Sequence, residues 1–395
     1  MVIFDLDKKM LKKFLEKFDD VPFAVDFKGK DSFTIGSGEP VFTVHVNKEI
    51  SKAEIMRSTS LALGEAYMNK DLELDGDLFA ALNIAMSQLD KFAVDKKALD
   101  KLIHTSTKKS NQKKEVSSHY DIGNDFYKLW LDETLSYSCG YFKNESDSLY
   151  DAQVNKVHHI LSKLNLKEGM SLLDIGCGWG YLLIEAAKKY KIHGLGITLS
   201  EEQAKEFQHR IEAEGLQDYL EVKLMDYRDL KSSKLTFDRV VSVGMLEHVG
   251  RANYNLFMEC VNKVLKQEGL FLLHFIGCRK ETAGDPWIKK YIFPGGTLPS
   301  LREIIDISYD YNNYTLDVES LRCHYAKTLL CWYNNFQNKK DEVRKMFDEP
   351  FVRMWELYLC SCAASFNVGM IDLHQILFSK GATNCLPLTR EYMYK

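Results

Sequence analysis

The stretch SLLDIGCGWG, residues 171–180, decides the architecture. An apolar run ends in Asp174 and opens into a turn carrying Gly176, Gly178 and Gly180. A helix-like segment, YLLIEAAKKY, follows at 181–190. A strand that turns on glycines into a helix brings a ligand against bare backbone at a helix N-terminus. The pattern D-x-G-x-G-x-G is not the G-x-G-x-x-G of dinucleotide folds, which argues against NAD. A tight turn without ligand would use the same glycines, but the whole strand–turn–helix layout points to a nucleotide-like cofactor.

Outward from this turn, strand-like segments recur at 192–197, 220–225, 237–243 and 269–275. Helix-like segments lie at 151–164, 180–189, 200–213 and 251–266. Such alternation predicts parallel strands joined by crossover helices. Further helices are expected at 300–309 and 343–366, with an antiparallel strand near 314–320. Upstream, alternating residues within 23–46 predict short strands, and 51–68 and 79–103 predict helices. Phe4, Leu11, Phe14, Leu15 and Phe18 recur at roughly helical spacing over 1–20. The expected fold is α/β, with a small N-terminal α+β domain at 1–103, a linker at 104–116 and the larger domain at 117–395.

Strand C-terminal ends collect ligands in such a topology. Thr198 follows the second strand, Ser200 stands where it can cap the next helix, and Gln203 can reach a ligand with its amide. Asp226 and Tyr227 follow the third strand, in LMDYRDL, and suit an adenine or ribose contact. Capping and packing explain several of these residues equally well.

The chain of 395 residues is 45% apolar, enough for one large core and a companion domain. Its net charge of -4 argues against a nucleic-acid binder. Residues 91–114 hold eight lysines, among them Lys108, Lys109, Lys113 and Lys114, either a solvated linker or a patch for an anionic surface. Asp5, Asp7, Lys8 and Lys9 do not suit a signal peptide, and no run of 18 apolar residues occurs. The nine cysteines have no metal-ligand spacing, and Cys360 and Cys362 suit packing better than zinc. The expectation is a reduced, cytosolic protein without metal, at most peripheral to a membrane.

An ordered series of segments carries a resemblance. HYDIGNDFYKLWLDETLSYSCGYF (119–142) precedes DIGCGWG; GITLSEEQ (196–203), FDRVVSVGMLEHVG (237–250), LLHFIG (272–277), DPWIKKYIFPGGTLPS (285–300) and HYAKTL (324–329) follow it. Together they resemble the cyclopropane-fatty-acyl-phospholipid synthases, with the related mycolic acid cyclopropane synthases and S-adenosylmethionine-dependent lipid methyltransferases. GEAYMNKDLELDGDL (64–78) resembles the longer, phospholipid-acting members, whereas SFNVGMIDLHQ (365–375) looks closer to the mycolate branch.

The resemblance implies a Rossmann-like class I methyltransferase domain that holds S-adenosylmethionine at Tyr137, Ser138, Gly176, Thr198 and Gln203. Asp174, Gly178, Asp226 and Tyr227 join that cofactor set from their places at strand ends. It further implies a bicarbonate ion, the general base, held by Cys139, Glu247, His274, Tyr325 and the backbone of Ile276. Cys139, Glu247, His274 and Tyr325 are then the catalytic residues. The implied reaction adds a methylene across the cis double bond of an unsaturated phospholipid acyl chain in a bilayer. The implied enzyme is a homodimer on the inner membrane face. Simple C-methylation of the alkene is the enzymatic alternative, and an idle lipid-binding protein the other. His119, Tyr120 and Asp121, beside Phe126, Tyr127 and Trp130, suit a lid, and PGGTLP (294–299) a border of the lipid tunnel.

Overall fold

The computed structural model describes residues 12–13, 15–18, 21–28, 32–88 and 122–394. The expected linker 104–116 with its lysines, the residues His119, Tyr120 and Asp121, most of the 1–20 helix and the second half of the 79–103 helix lie outside the described residues.

The N-terminal unit is a four-stranded sheet with helices. Its strands β1 (Phe23–Asp26), β2 (Ser32–Ile35), β3 (Thr43–Val46) and β4 (Leu72–Asp75) run in the order β2-β1-β3-β4. The β1–β3 pair is parallel and the other two pairs are antiparallel. Phe23, Val25, Ile35, Phe42 and Ala81 form its core. The expected helix at 51–68 is two, α1 (Lys52–Arg57) and α2 (Thr59–Met68). Ser58 is extended between them, and its side chain caps α2 by accepting from the Leu61 N–H. The third helix is α3 (Leu78–Ser87).

The larger unit is built on seven strands: β5 (Ser171–Ile175), β6 (His193–Thr198), β7 (Leu220–Leu224), β8 (Phe237–Val243), β9 (Leu265–Cys278), β10 (Asn313–Ser320) and β11 (Ile371–Lys380). Their order is β10-β11-β9-β8-β5-β6-β7. β5 to β9 are parallel, and β11 and β10 close one edge antiparallel. The helices are α4 (Asn124–Trp130), α5 (Leu149–Lys163), α6 (Tyr181–Tyr190), α7 (Glu201–Ala213), α8 (Tyr254–Val264), α9 (Pro286–Tyr291), α10 (Leu301–Asp310), α11 (Arg322–Asn338), α12 (Lys340–Met346) and α13 (Glu349–Asn367). The chain leaves β5 toward β6 and β7 and then crosses back to β8 on its other side. That reversal opens a crevice at the strand C-termini, where such sheets take ligands.

Four elements, β4, α9, α11 and β11, are not announced by the sequence pattern, and the expected helix at 343–366 is the pair α12 and α13. Asp348 caps α13 by accepting from the Phe351 N–H, and Pro350 sits in its first turn, so the break is local chemistry. The N-terminal unit docks on α13: Tyr67 donates its hydroxyl to Glu356 at 2.7 Å, and Arg353 lies 4.0 Å over the Tyr67 ring. Gly64 completes the seam, because a Cβ there would come within 2.4 Å of Trp287. Among the described residues no helix is long and apolar enough to cross a membrane, and no group of three His, Cys, Asp or Glu is placed to hold a metal.

Candidate active site

The site begins with the backbone after β5. Gly176 and Cys177 donate their N–H groups to the Ile197 carbonyl, which pins the turn to the neighbouring strand. The glycines of this turn have different jobs. Gly180 (φ +85°) lies beneath Phe207, whose ring a Cβ would strike, so it serves packing. Gly178 (φ +55°) has nothing within 4 Å of a would-be Cβ, so the bare backbone there faces open space. A cleft opens at this point.

All nine residues expected at a cofactor, Tyr137, Ser138, Asp174, Gly176, Gly178, Thr198, Gln203, Asp226 and Tyr227, line that cleft. Ser200 caps α7 by accepting from the Gln203 N–H. The Thr198 hydroxyl donates to Gln203 Oε1 at 2.8 Å and fixes the amide's orientation. Asp226 is gripped at both oxygens by Arg228, at 2.8 and 2.6 Å, so its carboxylate is bound up in a fork. Asp174 differs: it is buried, its Oδ1 has no partner, and burial pushes its carboxyl up to about 7 against the pull of the Lys156 charge. A buried acceptor without a donor beside an exposed glycine backbone fits a cationic, nucleotide-like ligand such as S-adenosylmethionine.

The segment 134–139 forms the opposite wall. Gln153, inside α5, donates to the carbonyl oxygens of Ser136 and Ser138 at 3.3 and 2.9 Å. Lys156, one turn on, donates to Ser138 Oγ at 2.9 Å. The phenol oxygens of Tyr137 and Tyr358 lie 2.7 Å apart, which ties this wall to α13. Neither Gln153 nor Lys156 is among the residues expected from the sequence. A signal exists all the same: both fall on the stripe of α5 that also carries Val157 and Ile160, where a polar residue is out of place.

A second set of buried polar side chains belongs to β9, β11 and the turn after β8. Glu247 follows β8, and its Oε1 accepts the Ile276 N–H at 2.6 Å while Oε2 is buried without a partner. Its loop is held by the 294–299 segment, where Thr297 donates its N–H to the Glu247 carbonyl at 2.9 Å. His274, on β9, has its Nδ1 3.1 Å from the Gln375 Nε2 of β11, and its Nε2 is buried without a partner. With the Gln375 amide donating, the His274 proton sits on Nε2. Gln375 is also absent from the expected set, although a polar residue in a strand buried on both faces is its clue.

Tyr325, on α11, is buried, with Tyr358, Cys139 and Glu247 among the groups that act on its phenol. Burial holds the Tyr325 phenol and the Cys139 thiol protonated and keeps His274 neutral. Burial pushes Glu247 up to about 7, partly countered by the Ile276 N–H. The Cys139 thiol points at the Gly140 carbonyl, 3.1 Å away, so its hydrogen has a protein partner. A neutral thiol with that partner is no nucleophile. His274 and Tyr325 are therefore buried neutral groups, and Glu247 is a buried carboxyl with one unpartnered oxygen.

A family model described as mycolic acid cyclopropane synthetase matches residues 107–376, and one for a domain of unknown function matches residues 10–97. The chain is 37% identical to a probable fatty acid methyltransferase of Pseudomonas putida, over 95% of this chain and 97% of that one. It is 39% identical to the cyclopropane-fatty-acyl-phospholipid synthase of Escherichia coli K12, over 85% of this chain and 87% of that one. Among solved structures, the mycolic acid cyclopropane synthase CmaA1, complexed with SAH and CTAB, superposes with a TM-score of 0.64 at 33% identity, covering 68% of this chain and 98% of that one.

Proposed function

Because the chain belongs to the mycolic acid cyclopropane synthetase family, we propose that it transfers a methylene group from S-adenosylmethionine across a cis double bond of a phospholipid acyl chain, forming a cyclopropane. The observation that supports this reading is a cofactor cleft walled by Tyr137 and Ser138, next in the chain to Cys139, together with Glu247 Oε2 and His274 Nε2 that are buried without partners.

S-adenosylmethionine, when bound, supplies a methyl electrophilic enough for an isolated alkene. Tyr137, Ser138, Thr198, Gln203 and the Gly176–Gly178 backbone would hold it, with Asp174 receiving positive charge. Bicarbonate, when bound, supplies a base small enough to sit beside a reacting alkene. His274 Nε2–H and the Tyr325 hydroxyl would orient that anion, and Glu247 Oε2 would accept its hydroxyl proton and carry a proton away. Cys139 contributes shape and dryness. Buried aromatic side chains exclude water: the Tyr137 ring packs 5.3 Å from both Trp130 and Trp332. Fixed dipoles in such a dry site act more strongly than in water. The acyl chain reaches the site from a bilayer, so peripheral membrane attachment as a homodimer is part of the proposal.

The test supplies purified protein with methyl-labelled S-adenosylmethionine, bicarbonate and vesicles of monounsaturated phospholipid. A labelled ring methylene in the product NMR spectrum is expected, at a rate that falls on bicarbonate removal and returns on its addition. A labelled methyl branch on a retained alkene would replace ring closure with C-methylation. No transferred label would leave a lipid-binding protein.

A further inference from the structure

Helix α5 buries two lysines on one face, and their surroundings differ. Lys163 is paired with Glu319 at 2.5 Å and Asp317 at 3.5 Å, so its charge is neutralised by the protein. Lys156, 4% exposed, has no carboxylate within 4.0 Å among the described residues; its one hydrogen bond goes to the neutral hydroxyl of Ser138. Two of its three N–H donors have no such partner. Asp174, 3% exposed on the same cleft, is the complementary case, a carboxyl with an unpartnered Oδ1. The two do not pair with each other within 4.0 Å. A buried charge without a partner is strongly disfavoured in a folded chain. Two of opposite sign, facing one cavity without touching, make a receptor for a zwitterion.

We propose that Lys156 and Asp174 bind the amino-acid end of the cofactor, Lys156 taking its carboxylate and Asp174 its ammonium. This rests on the cofactor reading above and adds Lys156 to the binding residues. The geometry also explains Ser138: its hydroxyl accepts from Lys156 and holds the flexible ammonium at the cleft wall. A lysine's stem is long and mobile, and a fixed head is what discrimination needs.

The test is binding, read by calorimetry without turnover. S-adenosylhomocysteine carries the zwitterionic end; 5′-methylthioadenosine has the same nucleoside and sulfur without it. The parent protein is expected to favour the first by about 10-fold or more. Lys156→Met is expected to weaken S-adenosylhomocysteine by roughly 10- to 100-fold and to change methylthioadenosine less than about 2-fold, with Lys156→Arg restoring most of the loss. Equal loss for both ligands would make Lys156 a structural residue and overturn the proposal, as would no loss for either. Should Lys156→Met not fold, the parent protein decides alone: decarboxylated S-adenosylhomocysteine must bind at least about 10-fold more weakly than the intact compound, and equal binding overturns the assignment. Failure of the parent to bind any of these adenosine compounds would remove the cofactor reading itself.

Discussion

The two halves of the site are built by opposite rules. The cofactor half comes from consecutive strand ends of a parallel sheet, and its residues sit in short local motifs: Asp174 to Gly180, Thr198 to Gln203, Asp226 and Tyr227. Most of its polar groups are tied to neighbours a few residues away. The anion half draws Glu247 from the turn after β8, His274 and Ile276 from β9, Tyr325 from α11 and Gln375 from β11. Its contacts span 29 residues between Glu247 and Ile276 and 101 between His274 and Gln375. One half lines a cleft; the other is a set of buried polar groups, with Glu247 Oε2 and His274 Nε2 unpartnered, for which we propose an anion. Substitutions should therefore separate the two, with binding lost in one and turnover in the other.

The sharpest separation is expected at Glu247. Glu247→Gln should lower kcat by about 10²- to 10³-fold, as removal of one fixed transition-state contact does, with calorimetric S-adenosylhomocysteine affinity changed less than about 2-fold. The parent's pH profile adds to this. Burial holds the Glu247 carboxyl at about 7, so it is ionised above that pH and protonated below. Turnover that needs the carboxylate as acceptor should fall as pH drops through about 7, and the Gln variant should lose that limb. An equal loss of affinity and turnover would erase the division between the halves.

Gln375 comes next. Gln375→Leu removes the donor that leaves the His274 proton on Nε2, and losing the group that orients such a histidine costs about 10-fold or more. The expected signature is a higher KM for bicarbonate with an unchanged KM for S-adenosylmethionine. A rise in both would mean that β11 supports the sheet and does not orient the histidine.

The same contrast explains which features are legible in the sequence. The parallel strands and their loops follow local patterns, and the strands at 171–175 and 237–243 fall where their apolar runs end. Helix α11 is hidden because RCHYAKTLLCWYNNFQN is rich in Cys, His, Tyr and Asn, weak helix formers held here by packing of Tyr325, Leu329, Trp332 and Phe336. Strand β11 is hidden because it is covered on both faces, so IDLHQILFSK lacks alternation. Glu247, His274 and Tyr325 could be named from family resemblance; Gln375, which lies beside His274 Nδ1, needs the fold. In the cleft, Asp226 can be named as a strand-end residue, but its fork with Arg228 cannot.

A smaller effect is expected at Thr198. Its hydroxyl donates to Gln203 Oε1 and accepts the Ser200 N–H, so it sets both the amide and the start of α7. Thr198→Val should weaken S-adenosylhomocysteine by about 3- to 10-fold, the worth of roughly one hydrogen bond, with kcat at saturation within about 2-fold. A kcat loss without a binding loss would place Thr198 with the anion half.

The smallest effect is on stability and has the opposite sign. Burial raises the Asp174 carboxyl from 3.8 to about 7 in the folded protein, even with the Lys156 charge opposing that rise. Between those values the folded chain keeps a proton that the unfolded chain has released, so the contribution present below 3.8 is lost as pH rises through 7. Asp174→Asn cannot ionise and escapes this loss. The ligand-free variant should gain stability relative to its parent as pH rises from about 5 to about 8. Thermal unfolding at the two pH values reads this directly, and cofactor affinity should fall in the same variant. A variant less stable at the higher pH would make Asp174 a partner of the surrounding fold. Greater stability with weaker binding would mark a carboxylate whose burial is tolerated because a cationic ligand offsets it, the same logic we propose for the unpartnered atoms of Glu247 and His274.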